Sequence, residues 1–217
     1  MGDWSFDPDL AVFLADLHAN NNRDWFQSQK KRYELVYKKP AAAFSDMMVD
    51  QLQSLTGVAH RSKTYRINRD VRFSKDKTPY NCHLHISFTP EGRDEASPSW
   101  FFGLGLEKLS LGVGVFGFSK DKLETYRRRV DGAPGEDLEE LAKALQKKGV
   151  RFGDPDLKRV PKPYDSEHPR ADWLKHKGLS CWLDFDGGGR AFENDTPSKV
   201  SAEFKKLAPL YDWLMEF

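Results

Sequence analysis

Residues 64–88, TYRINRDVRFSKDKTPYNCHLHISF, alternate with period two in two successive runs, and the fold is read outward from them. In the first run Tyr65, Ile67, Val71 and Phe73 share one face, interrupted by Arg69, while Arg66, Asn68, Asp70, Arg72 and Ser74 share the other. In the second run Cys82, Leu84, Ile86 and Phe88 point one way and Asn81, His83, His85 and Ser87 the other. The pattern predicts an antiparallel hairpin, apolar on one side and polar on the other. With Ser74 opposite Asn81 across a loop of residues 75–80, Arg72 faces His83 and Asp70 faces His85, and both faces stay matched.

Before this stretch the sequence reads as helical. Asp7-Pro8 has the form of a helix start, with Leu10, Phe13, Leu14 and Leu17 on one stripe. Asn22 is placed to cap a second helix carrying Trp25, Phe26, Tyr33 and Tyr37, and Pro40 opens a third with Phe44, Met47, Met48, Leu52 and Leu55, stopped by Gly57. After the hairpin, Pro90 to Pro98 reads as a polar loop. Strands follow from Ser99, with Trp100, Phe102, Leu104 and Leu106 and then Leu109, Leu111, Val113 and Val115 alternating with small residues. Glycine at 103, 105, 112 and 114 implies close backbone approach, either by a helix packed on the sheet or as a shallow floor beside the charged hairpin face. Ser119 caps a helix whose Arg127-Arg128-Arg129 suit the negative end of its dipole. A further helix with Leu138, Leu141 and Leu145, a proline-held loop, a strand from Leu179 to Phe185 and a closing helix from Thr196-Pro197 complete the chain.

This order predicts an α+β fold, an antiparallel sheet covered on one face by helices in a single domain: residues 1–57 helical, 58–118 antiparallel sheet, 119–217 helices plus one further strand. The glycines of GLGLEKLSLGVGVFG alternate within strands and do not form a dinucleotide-binding turn. Among 217 residues, 34 Lys+Arg against 33 Asp+Glu give a net charge of +1, so bulk charge does not mark a dedicated nucleic-acid binder. Cys82 and Cys181 are too few and too far apart for a disulfide or zinc framework. No apolar run approaches a membrane span and the N-terminal residues lack a basic leader, so the expectation is a cytoplasmic protein with no membrane partner.

NNNRDWF at 20–26, RINRDVRFSKDKTPYNCH at 66–83 and LKRVPKPYDSEHP at 157–169 together resemble the bacterial and fungal domain-of-unknown-function family 2461. The resemblance spans nearly the whole chain and implies one intracellular α+β domain. It brings no established activity and no catalytic residues to carry over. Pro163 departs from the glycine usual in that step, which leaves the turn there open.

The polar hairpin face is the candidate site. Arg66, Arg72, Lys75 and Lys77 offer guanidinium forks and ammonium groups suited to phosphate or carboxylate, with His83 and Arg23 as further binding residues. Asp70 opposite His85 has the form of a proton-transfer pair. The competing account is an internal ion network in which Asp70 and Asp76 neutralise the cations. His83-x-His85 has a spacing used by metal ligands, but such a step is more often hydrogen-bonded surface, so no metal is assigned and the cofactor is left unknown. The favoured function is an enzyme or binding domain for a small anionic, phosphorylated ligand. The alternative is a non-catalytic module that binds nucleic acid or protein through the same basic rim; Lys158, Arg159 and Lys162 on the proline-held loop offer further phosphate contacts, but solvated charge is the favoured account of them.

Overall fold

The computed structural model describes residues 3–93 and 97–217. Asp7 Oδ1 accepts the Asp9 N–H at 2.8 Å, which starts helix α1 (Asp9–Ala19) and turns Leu10, Phe13, Leu14 and Leu17 into the interior. Asn22 caps α2 (Arg23–Ser28) through the Trp25 N–H at 3.0 Å. The next helix differs from expectation. Tyr33 and Tyr37 do not belong to α2; they lie in a π-helical stretch, Tyr33–Lys38, between a short α3 (Lys30–Arg32) and α4 (Lys39–Thr56). Pro40 explains the widened turn: it donates no hydrogen bond and its ring crowds the carbonyl four residues back, and a looser turn relieves both. α4 buries Phe44, Met48 and Leu52 and ends at Gly57, whose φ of 74° is the left-handed cap the sequence implies.

The sheet has six strands in the order β1 (His60–Thr64), β2 (Leu84–Pro90), β3 (Ser99–Leu104), β4 (Lys108–Val115), β6 (Leu179–Asp186) and β5 (Arg151–Phe152). It is antiparallel, and the fold is α+β. Strand β5 was not legible: its two residues pair Arg151 with Trp182 and Phe152 with Cys181, too short a run to show a period. Residues 94–96 of the predicted Pro90–Pro98 loop lie outside the described residues, and β2 continues to Pro90.

By contacts the chain divides into two compact units, the described residues of 1–88, 101–111 and 184–202, and those of 89–100, 112–183 and 203–217. In the first, Phe6, Phe44 and Phe102 form a cluster with ring centroids 4.6–5.9 Å apart, beside fully buried Leu84, Ile86 and Phe88 of β2. Each such ring or aliphatic side chain removed from water contributes on the order of 1.5–3 kcal/mol. In the second, Trp100 packs on Phe204 and Tyr211 of α8 (Thr196–Met215). Ser119 caps α5 (Lys120–Asp131) as expected, and α6 (Pro134–Gln146) follows. The triple arginine has other work than the α5 dipole: Arg129 pairs with Glu216 and lies over Trp213, and Arg127 reaches the Leu174 carbonyl. The carbonyls at the end of α5 are taken instead by Arg170, just ahead of α7 (Ala171–Leu174).

Two of the strand glycines, Gly103 and Gly112, make room for rings from neighbouring strands, Gly114 admits the Leu179–Ser180 backbone, and a helix is not what approaches them. A Cβ on Gly103 would meet the His85 imidazole at 3.1 Å, and one on Gly112 would overlap the Trp182 ring at 2.4 Å.

Candidate functional site

The predicted first hairpin arm is not a strand. β1 ends at Thr64, and residues 65–83 form a long excursion closed by one isolated bridge, Asn68 with Tyr80. Around it the Arg69 N–H donates to the Pro79 carbonyl at 2.8 Å and the Asn81 N–H to the Ile67 carbonyl at 2.7 Å, over buried Ile67 and Tyr80. Tyr80 stacks on Phe26 at 4.1 Å, and Asn21, at the α1–α2 corner, brackets its backbone by accepting from its N–H and donating to its carbonyl. Beyond the bridge, side chains hold the backbone and no ladder forms. Asp70 accepts the Arg72 N–H and guanidinium, Asp76 accepts the Thr78 N–H, and Lys77 Nζ donates to the Val71 carbonyl at 3.0 Å. The register therefore differs from the expected one: the Tyr65 N–H donates to the His85 carbonyl at 2.9 Å, which brings Tyr65, and not Asp70, opposite His85.

What the excursion and β2 enclose is an open polar cleft of about 350 Å³. Arg66, Asp70, His83 and His85 of the predicted site line it, joined by Tyr65, Asn68, Arg69 and Asn81. The other predicted residues lie elsewhere. Arg72 sits outside on Asp70, its guanidinium 5.9 Å from the Phe73 ring; Lys75 and Lys77 are exposed on the loop tip; Arg23 is exposed in the first turn of α2. Arg69, the charge that broke the apolar alternation, was the missed signal. Its guanidinium reaches Asp76 and both oxygens of Thr78, and with Asn81 and His83 it lines both this cleft and a second hollow of about 390 Å³ that also borders His18, Asn21 and Cys82.

His83 and His85 stack face to face, centroids 3.9 Å apart and planes at 25°, over the space that Gly103 leaves. Loss of hydration, then the Arg69 charge, lowers the pKa of His83. His85 is exposed by surface area, yet local crowding strips enough water from the ring, helped by repulsion from His83, to bring its pKa to about 4. Both imidazoles are neutral at neutral pH. Asp70, pulled below the usual carboxylate range by the Arg72 side chain, is ionised. The intended proton-transfer pair is thus an ionised carboxylate committed to an arginine and a weakly basic ring. Cys82 is half-buried with its thiol pKa raised by desolvation, against the opposing Asn21 amide, so it is no thiolate nucleophile. Among the described residues, no three His, Cys, Asp or Glu side chains group closely enough to hold a metal ion.

In the second unit the proline-held loop that carries Lys158, Arg159 and Lys162 contains a cis Lys162–Pro163 bond at the step left open. His168 there is bound structurally, 3.3 Å from the Asp131 carboxylate and accepting the Arg170 N–H.

Comparison with curated proteins finds no match. The model of one family, described as conserved hypothetical protein (DUF2461), matches residues 9–213 of the 217, and the chain belongs to that family.

Proposed function

We propose that the cleft beside β2 binds a small anion, in the first instance a phosphorylated one. The observation that supports this is an exposed arginine, Arg66, sharing an open polar cleft with two neutral stacked imidazoles and two carboxamides. A guanidinium supplies a forked, permanently charged donor, and neutral imidazole N–H and amide N–H groups add donors without adding charge to be desolvated. The Asp70 carboxylate, which would repel an anion, is offset by Arg72. If the site is also catalytic, His85 is the group free to take up a proton, while Asp70 acts through charge. The cytoplasm is the compartment this reading assumes. No helix among the described residues is long and apolar enough to cross a membrane.

A thermal-shift screen with inorganic phosphate and phosphorylated metabolites tests the proposal. Phosphate compounds should raise the melting temperature of the wild-type chain and not of Arg66→Ala, whereas Lys75→Ala should respond as wild type. The alternative, a nucleic-acid module using the basic loop, predicts the opposite ranking, Lys75 and Lys77 mattering more than Arg66, with affinity falling steeply as salt rises.

A further inference from the structure

We infer that the anion this cleft takes is a nucleoside phosphate, held with its base against Tyr65 and its phosphate on Arg66; the inference rests on the anion-binding reading and names its ligand class. Two features of the lining go beyond what a bare phosphate needs, and the first goes beyond a sugar phosphate as well. One is Tyr65 itself. Its ring lines the cleft 43% exposed while its backbone N–H is fixed to the His85 carbonyl, so a flat aromatic surface is presented from an anchored position. Lys63 Nζ lies over one face of that ring, 5.3 Å from its centroid, and a base would stack on the other.

The other feature is the number of acceptors. Asn68 and Asn81 carry amide oxygens as well as N–H groups, each neutral imidazole has one unprotonated nitrogen, and Asp70 is a carboxylate. Phosphate oxygens at neutral pH have almost nothing to donate to these groups. A nucleoside does: its base offers N–H groups along one edge and its ribose offers hydroxyls, which a carboxylate accepts. The cleft's volume of about 350 Å³ lies at the lower end of the range for small-molecule sites, in keeping with a single nucleotide. Stacking on one aromatic ring tolerates any base, so discrimination between bases falls to the carboxamides of Asn68 and Asn81.

The test is calorimetric titration of the full chain with inorganic phosphate, ribose 5-phosphate, the four nucleoside monophosphates and a single-stranded decanucleotide. Nucleoside monophosphates should bind about tenfold or more tighter than ribose 5-phosphate, the order expected of one base on one ring. Tyr65→Ala should remove that advantage and leave ribose 5-phosphate binding unchanged, Tyr65→Phe should keep it, and Arg66→Ala should weaken every phosphate. The decanucleotide tells the sources apart: a free nucleotide binds at least as well as the chain, whereas the end of a nucleic-acid strand gains affinity with length and loses it with salt. Either source supports the inference. Equal affinity for ribose 5-phosphate and the nucleotides, or a base preference that survives in Tyr65→Ala, overturns it while leaving anion binding intact. If none of these compounds binds, both readings fall.

Discussion

Arg69 and Arg72 carry the same charge three positions apart and have opposite roles. Arg69, with a quarter of its side chain exposed (25%), joins Asp76 and Thr78 and so fixes both walls of the excursion, while Arg72, 77% exposed, meets Asp70 in water. Exposed ion pairs contribute little to stability. Arg69→Ala is therefore expected to lower the melting temperature clearly, and Arg72→Ala to leave it within error, as differential scanning fluorimetry would register. The glycines separate in the same way. Ala at 103 asks a surface imidazole to give by a few tenths of an ångström, costing under ~1 kcal/mol. At position 112 the added Cβ strikes the Trp182 ring at 2.4 Å, and such overpacking costs about 1–3 kcal/mol in chemical denaturation. The histidines predict a pH dependence of known sign. An unfolded imidazole titrates near 6.5 and folded His85 near 4, so between those values the unfolded chain binds more protons and stability falls as pH falls. His85→Gln should accordingly lose less melting temperature than wild type on going from neutral pH to about 4.5; an equal loss would mean that the ring is not desolvated in the folded chain.

At the scale of elements, the helices were legible because burial follows their period: Leu10, Phe13, Leu14 and Leu17 are all turned inward in α1, and Phe44, Met48 and Leu52 in α4. The π-helical stretch was not, because its cause is one proline that also reads as an ordinary helix start. It matters for the site: it carries buried Tyr37, whose hydroxyl donates to the His83 carbonyl at 3.1 Å. Tyr37→Phe should cost ~1 kcal/mol and move the His83 ring resonances without unfolding the chain. The first arm of the expected hairpin failed for a local reason. Asp70 and Asp76 give their side-chain oxygens to nearby backbone N–H groups, and that competes with a ladder, which leaves Phe73 96% exposed at a position the alternation assigned to the apolar face. Arg170 shows what period-based reading misses elsewhere. It is 8% exposed and donates to the Val130, Asp131 and Gly132 carbonyls, where no sequence spacing pointed. Arg170→Ala should destabilise the fold by ~2–3 kcal/mol, read by urea unfolding, since it strands carbonyls at the α5 terminus.

For the molecule as a whole, the succession of helices, strands and helices was enough to give the α+β class, and the three motifs were enough to give the family that matches residues 9–213. Half of the candidate site was legible for the same reason. Parity on a half-buried strand puts His83 and His85 together whatever the register, and Arg66 and Asp70 share their side of the excursion. Asn21 was not legible, because it reaches Tyr80 across 59 positions, and no local pattern reports such a contact. All the residues lining the cleft belong to the first compact unit, so the site needs no residue of the second to line it. The cleft is proposed to hold a phosphate-bearing anion through Arg66 beside two neutral imidazoles. The most direct test follows the imidazole nitrogens of His83 and His85 by NMR during titration of the full chain with inorganic phosphate, in wild type and Arg66→Ala. Anion charge next to the rings favours their protonated form, so both imidazoles should show saturable shifts toward the protonated state, with an apparent affinity at least about tenfold weaker in Arg66→Ala. Ring resonances that stay fixed at high phosphate, or that respond equally in Arg66→Ala, would contradict the proposal.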